Sequence, residues 1–293
     1  MSQHAAPPPE DVLRAFCVAG PIQPLAGGQS QSFTNGTHVL KLVDDPVESE
    51  FCAGLLARLA DHNSTAFSVP KPVRSTIPDA SYIVQSWTCT MFVPGKTIPR
   101  SLDQWKLLLS ASRAFHATLR DLVEAKPPFI DERRGSHRWN LAQQVAFGER
   151  LCPTLPQHAV QMLQRLDALR PMLLSLPEDD VDYTPQLVHG DIAGNVLFSD
   201  SQAPAIIDFS PYWRPVAYAE AVAVSDGLVE YDAGVELVHI VGTGRGRMEM
   251  LLKAMVFRVI SDWLGSEDSM VGMFEKWERA IDVVRDIMIS RKV

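Results

Sequence analysis

Cysteine is scarce in this chain: four among 293 residues, Cys17, Cys52, Cys89 and Cys152. No two share a CxxC spacing, which argues against a zinc ribbon or a disulfide framework and leaves them as small hydrophobes in a reducing compartment. Positive charge is also short. Lys and Arg total 27 against 35 Asp and Glu, a net charge of −8, and no basic block occurs. A nucleic-acid surface is therefore not expected. No apolar run is long enough to span a bilayer, so no membrane partner is expected either. The opening "MSQHAAPPPEDVL" has no basic stretch leading into an apolar one, so no signal peptide is expected and the cytoplasm is the expected location. Internal repeats are absent, as is low complexity beyond the early prolines.

What is present is apolar residue content of 46%, enough for a sizeable core in one large or two medium domains. Residues 1–20 read as a tail and a short helix, "PEDVLRAFC". Residues 21–95 alternate like strands: "IQPLAGGQSQSFTNGTHVLKLV" carries a glycine turn and a second turn at Asn35-Gly36. One helix interrupts them, "VESEFCAGLLARLA", with Phe51, Cys52, Leu55, Leu56 and Leu59 on one face. "SVPKPVRS" and "SYIVQSWTCTMFV" read as two further strands, ending at Pro94-Gly95. Residues 96–293 are mostly helical, starting with a long helix behind the N-cap candidate Ser101. The fold class expected is α+β: a small antiparallel sheet with one helix, then a larger helical part.

The chemistry concentrates in "LVHGDIAGNVLFSDSQAPAIIDFS", residues 187–210. Two apolar runs flank a polar turn, with Asp191 and Asn195 before them and Asp208 after. A magnesium ion favours hard oxygen ligands in an octahedral shell, commonly one or two carboxylates with phosphate oxygens and waters. Asn195 and Asp208 supply two such oxygens if a hairpin joins their ends. Asp191 is then left to accept or orient the proton of an attacking hydroxyl. Singly, each of these residues is also an ordinary turn former. The joint pattern carries the inference.

That pattern resembles the catalytic and metal-binding loops of the aminoglycoside phosphotransferase-like kinases, relatives of the protein kinases. They carry His-Gly-Asp where protein kinases carry His-Arg-Asp, and a metal-binding aspartate in the Asp-Phe-Gly position. The resemblance implies a protein-kinase-like two-lobed fold with ATP between the lobes. It implies ATP and magnesium (Mg2+) as cofactors, and transfer of the γ-phosphoryl group to a hydroxyl of a small molecule. Asp191 would be the catalytic base, Asn195 and Asp208 would hold the metal, and His189 would brace the loop. In "VLKL", Lys41 would contact the α- and β-phosphates, partnered by Glu48 or its neighbour Glu50. "LAGGQSQSF" stands where the nucleotide-covering loop would be, offering Gly28 for close backbone approach and Ser30 as a donor. "WTCTMFVPG" would be the hinge, binding adenine through backbone groups near Met91 and Val93.

Two departures stand out. The asparagine follows the aspartate by four residues instead of five, and Ser210 replaces the glycine of Asp-Phe-Gly. They motivate an alternative, a kinase-fold protein that binds or scaffolds without efficient transfer. A metal-dependent hydrolase using Asp191, Asp208 and His189 is a third reading, without a second His/Asp pair to complete a cage. "RPVAYAEAVAVSD" offers Glu220 as a brace for the catalytic loop or as a solvated helix residue. The acidic balance leans toward a cationic acceptor. Acceptor identity and oligomeric state are not written in any motif.

Overall fold

The computed structural model describes residues 6–25, 31–62, 64–78, 81–97, 99, 101–133, 138–265 and 272–290. Its strands are β1 (Gln23–Pro24), β2 (Ser32–Thr34), β3 (His38–Leu42), β4 (Ile83–Val84), β5 (Trp87–Met91), β6 (Gln186–His189), β7 (Val196–Leu197), β8 (Ala205–Ile206) and β9 (Pro211–Arg214). Its helices are α1 (Glu10–Ala15), α2 (Pro46–Asp61), α3 (Leu102–Leu122), α4 (Phe129–Glu132), α5 (Arg138–Ala146), α6 (Gln157–Asp167), α7 (Val216–Val229), α8 (Val235–Val241), α9 (Arg245–Trp263) and α10 (Phe274–Ser290). None among the described residues is long and apolar enough to cross a membrane. The chain divides into two compact units: Met1–Thr97 with Asn195–Phe209, and Ile98–Gly194 with Ser210–Val293.

The first unit is built on an antiparallel sheet of order β1-β2-β3-β5-β4. Strand periodicity puts Leu40 on the face that buries Phe33, Trp87 and Cys89 with Val12, Ala15 and Phe16 of the α1 segment. Lys41, one residue on, points to the opposite face. Asn35 closes the β2–β3 turn by accepting from the Thr37 and His38 amides at 3.0 and 2.8 Å, while Gly36 supplies a φ of 85°. Asp45 caps α2 by accepting from Val47 and Glu48, and Pro46 starts the helix where no intrahelical donor is needed.

Two expected strands come out differently. "SVPKPVRS" makes only isolated bridges, Ser68 to Ala205 and Pro72 to Thr90, because Pro70 and Pro72 have no amide to donate to a ladder. "SYIVQSWTCTMFV" is broken into β4 and β5 by Gln85 and Ser86, at φ 47° and 66°. Two consecutive positive φ values make the two-residue hairpin turn that matches strand twist.

The hairpin β7–β8 belongs to this unit because both of its edges are bonded there. Ser68 donates to the Pro204 carbonyl and accepts from Ile206, at 2.9 and 2.8 Å. On the other edge Lys96 and Phe198 exchange bonds of 3.1 and 2.9 Å. A side chain at Gly95 would come within 2.8 Å of the Leu197 Cβ, so glycine allows this approach.

The second unit is helical except for β6 paired with β9, the segments on either side of the hairpin. Ser101 caps α3 as expected, accepting from the Gln104 amide at 3.2 Å. Helix α9 packs against α5, α6 and α7 and is buried over most of its length. Asp179 terminates it from a distance, its two oxygens accepting from the Gly246 and Arg247 amides at 2.8 and 3.0 Å. This satisfies first-turn donors that no residue next to the helix supplies.

Candidate active site

In the first unit, the Ile207 amide donates to the Asn195 carbonyl at 2.9 Å, extending the β7–β8 ladder by one step. Asn195 and Asp208 therefore sit at the same open end of the hairpin. Asp208 has a φ of 51°, a left-handed conformation that aspartate tolerates better than most residues. Its carboxylate pairs with the Lys41 ammonium, 167 positions away in sequence. Both side chains are about two-fifths exposed, so the pair contributes only about 0–1 kcal/mol and opens readily for a ligand. One carboxylate and one amide oxygen, with a lysine beside them, fit a magnesium ion that takes its other ligands from phosphate and water. Among the described residues no three His, Cys, Asp or Glu side chains form a metal cage, which leaves the hydrolase reading without one.

In the second unit, β6 carries His189 into Gly190 and Asp191. His189 is buried, and its Nδ1 accepts the Asp191 amide at 3.2 Å, holding the loop as a brace. Behind it stands His116 of α3, also buried, whose Nε2 accepts the His189 amide at 3.0 Å. That acceptor role puts the His116 proton on Nδ1, which faces the Ser112 hydroxyl at 3.3 Å. Burial, with His189 adding to it, pushes the His116 imidazole down to about 3, so it stays neutral. Gly190 is the only residue that fits its position, since a Cβ there would lie 2.0 Å from the Tyr212 ring.

Asp191 itself is half-exposed, and one of its oxygens accepts from Arg258 Nη2 at 2.5 Å. Arg258, on α9, is buried and also donates through Nε and Nη2 to both oxygens of Asp226 on α7, each at 2.6 Å. Burial opposes the arginine's charge, but Asp226 and Asp191 outweigh it and raise its pKa well above the ordinary value. Burial raises the Asp226 carboxyl to about 6 against the pull of Arg258, and raises nearby Asp262 to about 7.

The remaining expected residues are placed as follows. Glu48 is half-buried in the first turn of α2. Glu50 accepts from the Ser81 hydroxyl at 2.6 Å and the Tyr82 amide at 3.1 Å, which ties α2 to the approach of β4. Lys41 pairs with Asp208. Met91 ends β5 with its amide donated to the Lys71 carbonyl at 2.8 Å, and Val93 follows two residues on, outside the strand. Gly28 and Ser30 lie outside the described residues. Glu220 neither caps the catalytic loop nor faces solvent: it is buried between Arg113 and Arg247, bonded to each at 2.5 Å.

Sequence reasoning missed Arg258 and His116. The available signal was an ionisable residue inside a mostly apolar helical run, as in "AMVFRVI" and "AFHATL".

No family model matches the chain, and no curated protein matches it in sequence. Solved structures do match. The spectinomycin phosphotransferase in its AMP-bound complex is 15% identical with a TM-score of 0.56, over 97% of this chain and 98% of that one. An aminoglycoside phosphotransferase from Alicyclobacillus acidocaldarius is 14% identical with a TM-score of 0.56, over 98% and 96%. The choline kinase LicA from Streptococcus pneumoniae is 11% identical with a TM-score of 0.51, over 94% and 97%. At these identities the likeness concerns the backbone, and it extends over nearly the whole of each chain: the protein has the protein-kinase-like fold of the aminoglycoside phosphotransferases.

Proposed function

We propose that the protein is an ATP- and magnesium-dependent phosphotransferase that moves the γ-phosphoryl group to a hydroxyl of a small molecule. The observation that supports this most is the pairing of Lys41 with Asp208 at the hairpin end that also carries Asn195. Lys41 lies far in sequence from Asn195 and Asp208 yet belongs to the same compact unit, which supports reading it as a phosphate-binding cation beside two oxygen ligands for a metal.

In this reading Lys41 releases Asp208 and turns its ammonium to the α- and β-phosphates. Asn195 and Asp208 hold magnesium, and Glu48 steadies the lysine from α2. Magnesium, when bound, neutralises phosphate charge and orients the transferring group. Adenine offers one donor and one acceptor on its edge. The Met91 carbonyl and the Val93 amide would supply one acceptor and one donor to that edge. Gly28 and Ser30 contribute backbone approach and a donor over the phosphates. Asp191 accepts the acceptor's proton, with its backbone amide fixed by His189. Positioning and charge neutralisation supply most of the rate.

Among the fold neighbours are a spectinomycin phosphotransferase in complex with ADP and spectinomycin, and a choline kinase. For this chain a small hydroxylated molecule, cationic in view of the net charge of −8, is the acceptor class we propose. The test is a thermal-shift titration with ATP, with and without magnesium. Ligand at about a hundred times its dissociation constant stabilises the wild type by roughly 2.7 kcal/mol. The magnesium-dependent part is lost in Asp208→Ala. No shift at millimolar ATP would sink the proposal and favour a kinase-fold scaffold.

A further inference from the structure

We infer that Arg258 is a positioning residue for the phosphotransferase reaction: its guanidinium, locked to Asp226, fixes the carboxylate of Asp191 in one orientation. The inference rests on the functional reading above, and adds to it a residue that no motif marks.

Arg258 lies on α9 between Phe257 and Val259 and is 8% exposed. Its Nε and Nη2 grip both Asp226 oxygens, each at 2.6 Å, the two-point arrangement that sets the plane of a guanidinium as well as its place. Asp226 is equally buried, on α7, so both halves of the grip belong to packed helices. The second hydrogen on Nη2 then reaches Asp191 Oδ1 at 2.5 Å. Asp191 itself sits on a turn after β6, with its side chain 46% exposed. A hydrogen bond to one of its oxygens, from a donor held at two other points, restricts the orientations open to that carboxylate.

Two features separate this from a pair that merely holds the fold. A buried ion pair is commonly no more stabilising than apolar residues of the same volume, so stability does not account for an arginine in an apolar helix. The clamp is also balanced: Asp226 cancels the charge of Arg258, so Asp191 gains a fixed direction without gaining a net cation beside it. A proton acceptor must be held at hydrogen-bond reach of the attacking hydroxyl, and a displacement of about 1 Å costs on the order of a hundredfold in rate.

The experiment compares wild type with Arg258→Lys and with the double swap Arg258→Met/Asp226→Leu. Lysine keeps the charge but cannot make the fork and the third bond together. The swap removes both charges, so no ion is left buried and unpaired. Each is measured for melting temperature, for KM of ATP and for kcat of magnesium-dependent ADP formation. We expect folded variants, KM within about twofold of wild type, and a fall in kcat of roughly tenfold or more. Adding Asp191→Asn to either variant should lower kcat little further than Asp191→Asn does alone. A folded variant of either kind with wild-type kcat overturns the clamp and leaves the phosphotransferase reading standing. Wild type that neither binds magnesium-ATP nor forms ADP overturns that reading first, and the clamp's purpose with it.

Discussion

Replacing His116 by glutamine should change how stability depends on pH, by an amount the structure sets. His116 is buried, neutral and accepting from the His189 amide, and its pKa is pushed down to about 3 from an ordinary 6.5. The unfolded chain protonates this imidazole below about pH 6.5, whereas the folded chain does not until about pH 3. Its contribution is therefore fully present above the unfolded value and is lost as pH falls through this window, at about 1.4 kcal/mol per pH unit. By pH 5 the loss is ~2 kcal/mol. Asp262 and Asp226, raised to about 7 and about 6, have the opposite sign: they favour the folded state more as pH falls. The wild-type profile mixes these effects, and the mutant separates them. Glutamine can still accept the His189 amide, so at pH 7.5 it should cost about 1 kcal/mol, the net worth of one hydrogen bond. Urea unfolding followed by tryptophan fluorescence at pH 7.5, 6.5, 5.5 and 5.0 then yields a mutant-minus-wild-type difference that moves ~2 kcal/mol in the mutant's favour toward the acid end. Parallel profiles would refute the reasoning, because His116 would then titrate as it does in the unfolded chain.

Other perturbations test separate parts of the structure. Asp226→Ala leaves Arg258 buried against a lost partner and should cost about 3–5 kcal/mol in chemical denaturation, whereas Lys41→Ala, at an exposed pair, should cost about 1 kcal/mol or less. Equal losses in the two would contradict the burial argument. Gly190→Ala drives a methyl into the Tyr212 ring and should destabilise by about 1–3 kcal/mol, read as a lower melting temperature; an unchanged melting temperature would show that the ring yields freely. Asp179→Ala removes the acceptor for two amides at the start of α9 and should lower stability by about 1–2 kcal/mol, against no effect if water replaces the cap.

Much of this was legible because it is local. The hairpin bearing Asn195 and Asp208 shows itself as two short apolar runs around a polar turn, and Ser101 marks the start of α3. Other features depend on partners distant in sequence. Arg258 meets Asp226 across 32 positions and Asp191 across 67, and no periodicity encodes those meetings. The sequence offers Glu48 and Glu50 alike without saying what each carboxylate meets, and Glu50 is engaged by Ser81 and Tyr82, residues of a segment 31 and 32 positions on. "SVPKPVRS" was overread as a strand because its alternation is right while its prolines forbid the ladder. Gln85 and Ser86 were missed because neither is the usual residue for a left-handed turn.

The central claim is that Asp191 acts on an acceptor hydroxyl while other residues hold the nucleotide. The most direct test is magnesium-dependent ADP release across a panel of amino alcohols, sugars and aminocyclitols, wild type beside Asp191→Asn. The account predicts acceptor-dependent turnover in the wild type and its loss in the variant, which still shows the full magnesium-ATP thermal shift. Turnover in Asp191→Asn close to the wild-type rate would contradict it.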